Sequence, residues 1–322
     1  MGRGSTQTLI REIIKSLAQG SKTISEIVDE TKLDRATIGK YANLLHESGL
    51  LIEDQEGTSK RFTIAPNYRR DTYFGLPLSK ENEEKFNTVY FLIKKYAGNK
   101  PLLATHVQKT IYAANKHCNL GLPCGWYIHG GIAIFSYDSN KKYEEEFKFE
   151  NTSKECIKEW TEKYTKNRYG YNAKQQQYEE EYPPEIYTIK EKILATLYSS
   201  EFEKHPHNSM LAVNINTVKL VASASKNLLS LDDKPLVKFE KLLEEIAIKW
   251  PEKQIAEQKQ KITSLFESVW RFIALHQFKT DLSKYYSSKI LDAHFASDIK
   301  QQEEEIYTLI QTLETTSTNV NN

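Results

Sequence analysis

Between Thr6 and Ile64 the chain alternates helix-forming runs with stop signals so regularly that its local structure is nearly spelled out. From Thr6 to Ala18, apolar residues fall at Leu9, Ile10, Ile13, Ile14 and Leu17, one stripe of an amphipathic helix. Gly20 stops it. Thr23-Ile24-Ser25-Glu26 reads as a capping box, whose two side chains satisfy the first orphan amides of a short second helix. Ile24 and Ile27 would face inward. Asp34 follows Leu33 and is placed to cap a third helix from Arg35 to about Ser48, with Ile38, Ala42 and Leu45 buried and Gly49 ending it. Leu50-Leu51-Ile52 then begins a strand. A polar turn from Glu53 to Ser59 leads into Lys60-Arg61-Phe62-Thr63-Ile64, so the segment closes as a β-hairpin.

The stretch TISEIVDETKLDRATIGKYANLLHESGLLIEDQEGTSKRFTIAP resembles winged helix-turn-helix transcription regulators of the MarR/ArsR kind. The second helix, the turn through Leu33-Asp34, the third helix and the Gly-Leu-Leu exit all match. The resemblance covers about a fifth of the chain. It implies three helices plus a β-hairpin, and a third helix that enters the major groove of double-stranded DNA.

With Ile38, Ala42 and Leu45 inward, the third helix would present Arg35, Thr37, Lys40, Tyr41 and Asn43. Arg and Lys reach guanine O6 and N7, and Thr touches a phosphate or a thymine methyl. Lys60 and Arg61 lie just past the wing tip, where a wing meets backbone or minor groove. Gly39 would keep the helix surface low where a base edge approaches. Against this stand Glu53, Asp54 and Glu56 in the wing, and a modest balance of 11 basic to 9 acidic residues over positions 1 to 70. A winged helix that contacts protein instead of DNA is the competing reading of the same residues.

The whole chain of 322 residues carries 44 basic and 43 acidic side chains, so any electrostatic footprint is local. Only 13 Gly and 9 Pro favour helix over a many-turned β-architecture. Three cysteines, Cys118, Cys124 and Cys156, are too few and too odd for a secreted disulfide framework. That points to a reducing, cytoplasmic setting. No run of about 18 apolar residues is present to span a bilayer.

The expected fold class is mainly α. Residues 1–66 form the winged helix-turn-helix, 67–84 a linker, 85–200 a middle helical domain with a small β element and a charged, Tyr-rich excursion, 201–314 a helical region suited to dimerisation, and 315–322 a disordered tail. In the middle, LLATHVQKTIYAANKHCNLGLPCGWYIHGG is similar to the Panacea (SocA-like) antitoxin-associated domain through Gln108-Lys109-Thr110-Ile111-Tyr112. It departs at His129-Gly130-Gly131, where Gly131 stands in place of Pro. That resemblance implies an antitoxin or plasmid-maintenance factor gripping a protein partner.

His117, Cys118, Cys124 and His129 lie close in sequence but lack a standard zinc spacing, so no metal and no cofactor is expected. Walker A, G-x-G-x-x-G, H-E-x-x-H and G-x-S-x-G patterns are absent. One enzyme pattern survives. Asp138 ends an apolar run, and Glu146 and Lys148 lie on the next candidate strand, the skeleton of a Mg²⁺-dependent PD-(D/E)xK nuclease. A solvated hairpin edge explains the same residues. Tyr143, Tyr164, Tyr169, Tyr171, Tyr178, Tyr182 and Tyr187, interleaved with lysines, could stack the bases of a single strand, but the glutamates at 144–146 and 179–181 oppose this and favour a mobile or partner-facing excursion ending at Pro183-Pro184. Leu211 to Leu231 reads as a buried helix, and further stripes run to Leu313. The expected function is sequence-specific binding of double-stranded DNA by a homodimeric regulator, without catalysis.

Overall fold

The computed structural model describes residues 6–17, 20–47, 51–56, 59–64, 76, 78–100, 102–128, 130–135, 142–166, 176–177, 185–228 and 231–318. The chain divides into two compact units, residues 1–180 with 281–297, and residues 181–280 with 298–322.

The first unit opens with α1 (Thr6–Leu17), β1 (Lys22–Thr23), α2 (Ile24–Thr31), α3 (Arg35–Glu47), β2 (Leu51–Glu56) and β3 (Ser59–Ile64). Three helices and a hairpin are the expected winged helix-turn-helix. Of the residues expected inside, Ile10, Ile13, Ile14, Leu17, Ile27, Ile38, Ala42 and Leu45 are buried, Leu9 and Ile24 are only half-buried, and Leu51 and Phe62 complete the core. Gly20 takes a φ of +137° behind α1, a conformation open to glycine. The sheet has one strand more than the sequence suggests. β1 pairs antiparallel with β3, Lys22 opposite Phe62 and Thr23 opposite Arg61, giving the order β1-β3-β2.

α4 (Lys80–Ala97) starts inside the stretch read as linker. Ser79 is the reason, because its hydroxyl accepts the Asn82 amide at 3.2 Å. Residues 67–75 of that stretch lie outside the described residues. α5 (Ala104–Cys118), β4 (Cys124–Tyr127), β5 (Gly130–Ala133) and α6 (Asn151–Thr165) follow. β4 and β5 form an antiparallel hairpin, as the strand-prone sequence requires.

Three residues of the Q-K-x-x-Y run fasten α5 to that hairpin. Gln108 accepts the Ala133 amide at 2.8 Å and donates to the Phe135 carbonyl at 3.2 Å. The buried Lys109 ammonium donates to the Gly131 carbonyl at 2.9 Å. A Cβ on Gly131 would stand 2.2 Å from Tyr112 Cγ, so the ring needs glycine there.

The three cysteines are not all unpaired, although Cys124 keeps a free thiol. Cys118 and Cys156 form a disulfide with Cα atoms 6.0 Å apart, linking the end of α5 to α6. Their separation of 38 residues left no local pattern to read. The Tyr-rich excursion also reads differently, since Tyr143, Tyr164 and Tyr187 are core residues with no face for a base. Tyr169, Tyr171, Tyr178 and Tyr182 lie outside the described residues.

The second unit is built from α7 (Glu185–Leu197), α8 (Ser200–Lys204), α9 (Pro206–Asn227) and α10 (Lys234–Lys249), with most of α11 (Glu252–Leu282) and α12 (Ser288–Thr318). Tyr187 meets Trp270 edge-on at 4.6 Å in its core. α9 is not buried all round, because Leu211, Ile215 and Val218 are exposed. α12 runs to Thr318, into the expected tail, of which 319–322 lie outside the described residues. No helix of the described residues is long and apolar enough to cross a membrane.

Candidate nucleic-acid interface

α3 is fixed at its start by Asp34, whose carboxylate accepts the Thr37 amide at 2.9 Å and the Thr37 hydroxyl at 3.1 Å. Those bonds hold the Asp34 carboxyl below the ordinary carboxylate range, the Thr37 amide contributing most. α2 is fixed by the reciprocal capping box. The Glu26 carboxylate accepts the Thr23 amide at 2.6 Å, and the Thr23 hydroxyl accepts the Glu26 amide at 3.2 Å. The Glu26 carboxyl is lowered as well, first by the Thr23 amide. Glu30 is lowered by the Lys22 ammonium, 2.5 Å away, and by the Ser16 hydroxyl.

The outer side of α3 exposes Arg35, Ala36, Lys40 and Asn43. Ala36 stands between the two cations on that face and was not among the residues picked from the sequence. The Lys40 ammonium lies 5.6 Å from the centroid of the Tyr41 ring. Thr37 and Tyr41 are half-buried, and the Thr37 hydroxyl is engaged by the Asp34 cap.

Gly39 faces inward to α2, where a Cβ would stand 3.7 Å from Ile24 Cδ1. The groove-side role expected for it does not fit this position.

In the wing, Lys60 is exposed and pairs with Glu53 at 2.8 Å. Arg61 turns the other way. Its guanidinium donates to the Ser21 carbonyl at 2.8 Å and pairs with Glu26 at 3.3 Å.

Of the nuclease skeleton, only Glu146 and Lys148 fall among the described residues. Asp138 lies outside the described residues. Glu146 and Lys148 sit in irregular chain, not on the strand the pattern needs. The Glu146 carboxylate accepts from Asn87 Nδ2 at 2.9 Å, and the Glu146 and Phe147 amides both donate to the Thr88 hydroxyl at 2.9 and 2.8 Å. Lys148 is exposed. Among the described residues no group of His, Cys, Asp and Glu is arranged to hold a metal ion. The His117 ring stacks on Trp160 at 4.7 Å. Burial drives the Cys124 thiol well above its ordinary pKa, so it stays protonated. His129 lies outside the described residues.

Residues 11–53 match a family model described as bacterial regulatory protein, arsR family. No curated protein and no solved structure matches the chain. The Panacea similarity of the middle region has no support in these comparisons. The match runs from α1 through α2 and α3 into β2. Over that segment the chain is similar to bacterial regulatory proteins of the arsR family, and its N-terminal segment is a winged helix-turn-helix.

Proposed function

We propose that the protein is a transcription regulator that binds double-stranded DNA sequence-specifically inside the cell, with α3 as its reading helix. The observation that carries this is the outer face of α3. There Arg35, Lys40 and Asn43 surround Ala36 on a helix whose opposite side is locked into the core. Arg and Lys donate to guanine O6 and N7, Asn pairs with adenine N6 and N7, and a small residue between them admits the floor of the groove.

Thr37 and Tyr41 support that surface from its flank, Thr37 through the Asp34 cap. Lys60 meets phosphate at the wing, and contact with DNA would replace its exposed pairing with Glu53. Arg61 holds the wing in place for that contact. The acidic wing residues disfavour non-specific binding, so affinity depends on the matched sequence more than on charge.

The action is binding without catalysis, a reading supported by the attachment of Glu146 to α4 through Asn87 and Thr88.

The test is an electrophoretic shift with the gene's own upstream DNA at two salt concentrations, with and without Mg²⁺. A salt-sensitive shift lost in the Arg35→Ala/Lys40→Ala variant supports the proposal. No shift would move the winged helix to protein recognition. Loss of intact DNA only with Mg²⁺, abolished by Glu146→Ala, would establish the nuclease instead.

A further inference from the structure

β4 pairs with β5 in a two-stranded sheet, so its other side is an open edge. One main-chain group on that edge is already taken. The Asp281 carboxylate, at the end of α11, accepts the Trp126 amide at 2.7 Å. Against Asp281 lies a cavity of about 280 Å³, walled by Cys124 and Gly125 of β4, by α5 and by the turn that follows α11. All of these residues belong to the first unit.

The walls are fixed from behind. Asn115 of α5 is locked to Leu122 twice, accepting its amide at 2.7 Å and donating to its carbonyl at 2.9 Å. The Asn115 side chain also hydrogen-bonds the Tyr285 hydroxyl. The Tyr285 amide closes the turn on the Leu282 carbonyl at 2.9 Å. Burial raises the Tyr285 phenol above its ordinary range, so the hydroxyl stays protonated and able to donate. A ligand therefore meets a site already shaped, and little ordering opposes its binding.

Three charged side chains open on this space, Lys116, Asp281 and Lys284, leaving the lining at +1. Lys284 is exposed and joins no ion pair among the described residues. A lone exposed lysine is an ordinary surface residue. Two lysines on one small cavity repel each other, and an anion held there relieves the repulsion.

We propose that this cavity binds a small organic anion that carries hydroxyl groups, a phosphate monoester or a hydroxy acid. Lys116 and Lys284 hold the anionic end. Asp281 accepts from one hydroxyl group and the Tyr285 hydroxyl donates to another. Asp281 also repels a second anionic group, so the ligand is charged at one end. The volume equals the share of roughly nine waters, which suits a compound of about three to five carbons. An extended peptide fits less well, because the Trp126 amide it would need on the β4 edge is held by Asp281. The site lies outside residues 11–53, where the arsR-family similarity runs, and it does not rest on DNA binding.

The test is isothermal titration calorimetry of the full chain, without DNA, using glycerol phosphate, glycerate, inorganic phosphate and glycerol as probes. At least one of the two hydroxylated anions should bind with a Kd below about 1 mM, and the tighter of them tells which anionic group the lysines prefer. Inorganic phosphate should bind at least about tenfold more weakly, and glycerol should give no heat. Lys284→Ala should weaken binding at least about tenfold, and Tyr285→Phe about threefold. Lys284→Ala should melt like wild type because the side chain is exposed, which separates lost binding from lost fold. No binding of either hydroxylated anion up to about 10 mM, or binding untouched by Lys284→Ala, overturns the site. Inorganic phosphate binding as tightly as glycerol phosphate, or glycerol binding as tightly as the anions, overturns the ligand class.

Discussion

The Arg61 guanidinium donates to the Ser21 main-chain carbonyl at 2.8 Å, tying the returning strand of the wing to the turn before α2. Neighbouring side chains of one strand thus have opposite duties, since Lys60 faces solvent and Arg61 faces the domain. Arg61→Ala should destabilise the protein by about 1 kcal/mol through the lost charge-assisted bond. Lys60→Ala should leave the melting temperature unchanged and lower DNA affinity with a shallower salt dependence. Paired thermal melts and salt titrations separate the two, and equal effects on stability would contradict the assignment.

Gly39→Ala should stabilise α3. The added methyl meets Ile24 Cδ1 at an ordinary 3.7 Å, and Ala is favoured over Gly inside a helix by roughly 0.8–1.0 kcal/mol. A chemical denaturation midpoint that falls in place of rising would show that the α2–α3 contact has no room.

Gly131→Ala should do the reverse. The new Cβ would stand 2.2 Å from the Tyr112 ring, and the ring or the hairpin must move at a cost of about 2 kcal/mol. Tyr112→Ala in the same chain should lessen the penalty of Gly131→Ala. Additive losses in a double-mutant cycle would contradict the contact.

His276 sets a pH dependence. Burial lowers its pKa from 6.5 to about 4; Lys279 adds to the effect and Asp232 opposes it. The unfolded chain therefore takes up a proton between pH 6.5 and about 4 that the folded chain refuses. Stability falls as pH drops through that window, by at most about 3 kcal/mol from this residue. His276→Leu should flatten that part of the stability curve, measured by denaturant unfolding from neutral to acid pH. An unchanged slope would contradict the assignment.

The features legible in the sequence are those set by neighbours along the chain. Thr23 and Glu26 declare a capping box because both partners lie within one helical turn, and the stripe from Leu9 to Leu17 declares a buried face by its period. β1 was invisible because two residues carry no period and become a strand only by pairing with Phe62 and Arg61. The direction of Arg61 was hidden for the same reason, its acceptor Ser21 being 40 residues away. Gln108, Lys109 and Tyr112 stood out as a motif, but their work on β5 depends on chain that follows about 20 residues later. On α9 a helix was readable and its exposed side was not, since an apolar run does not say that Leu211, Ile215 and Val218 stay outside.

Selection of duplexes from a random pool by the wild-type protein, repeated with Lys40→Ala, tests the DNA-reading claim most directly. Wild type should enrich one motif, and the variant should keep the motif while losing preference at one or two of its positions. Failure of the wild type to enrich any sequence, or an unchanged motif in both Lys40→Ala and Arg35→Ala, would contradict α3 as the reading helix.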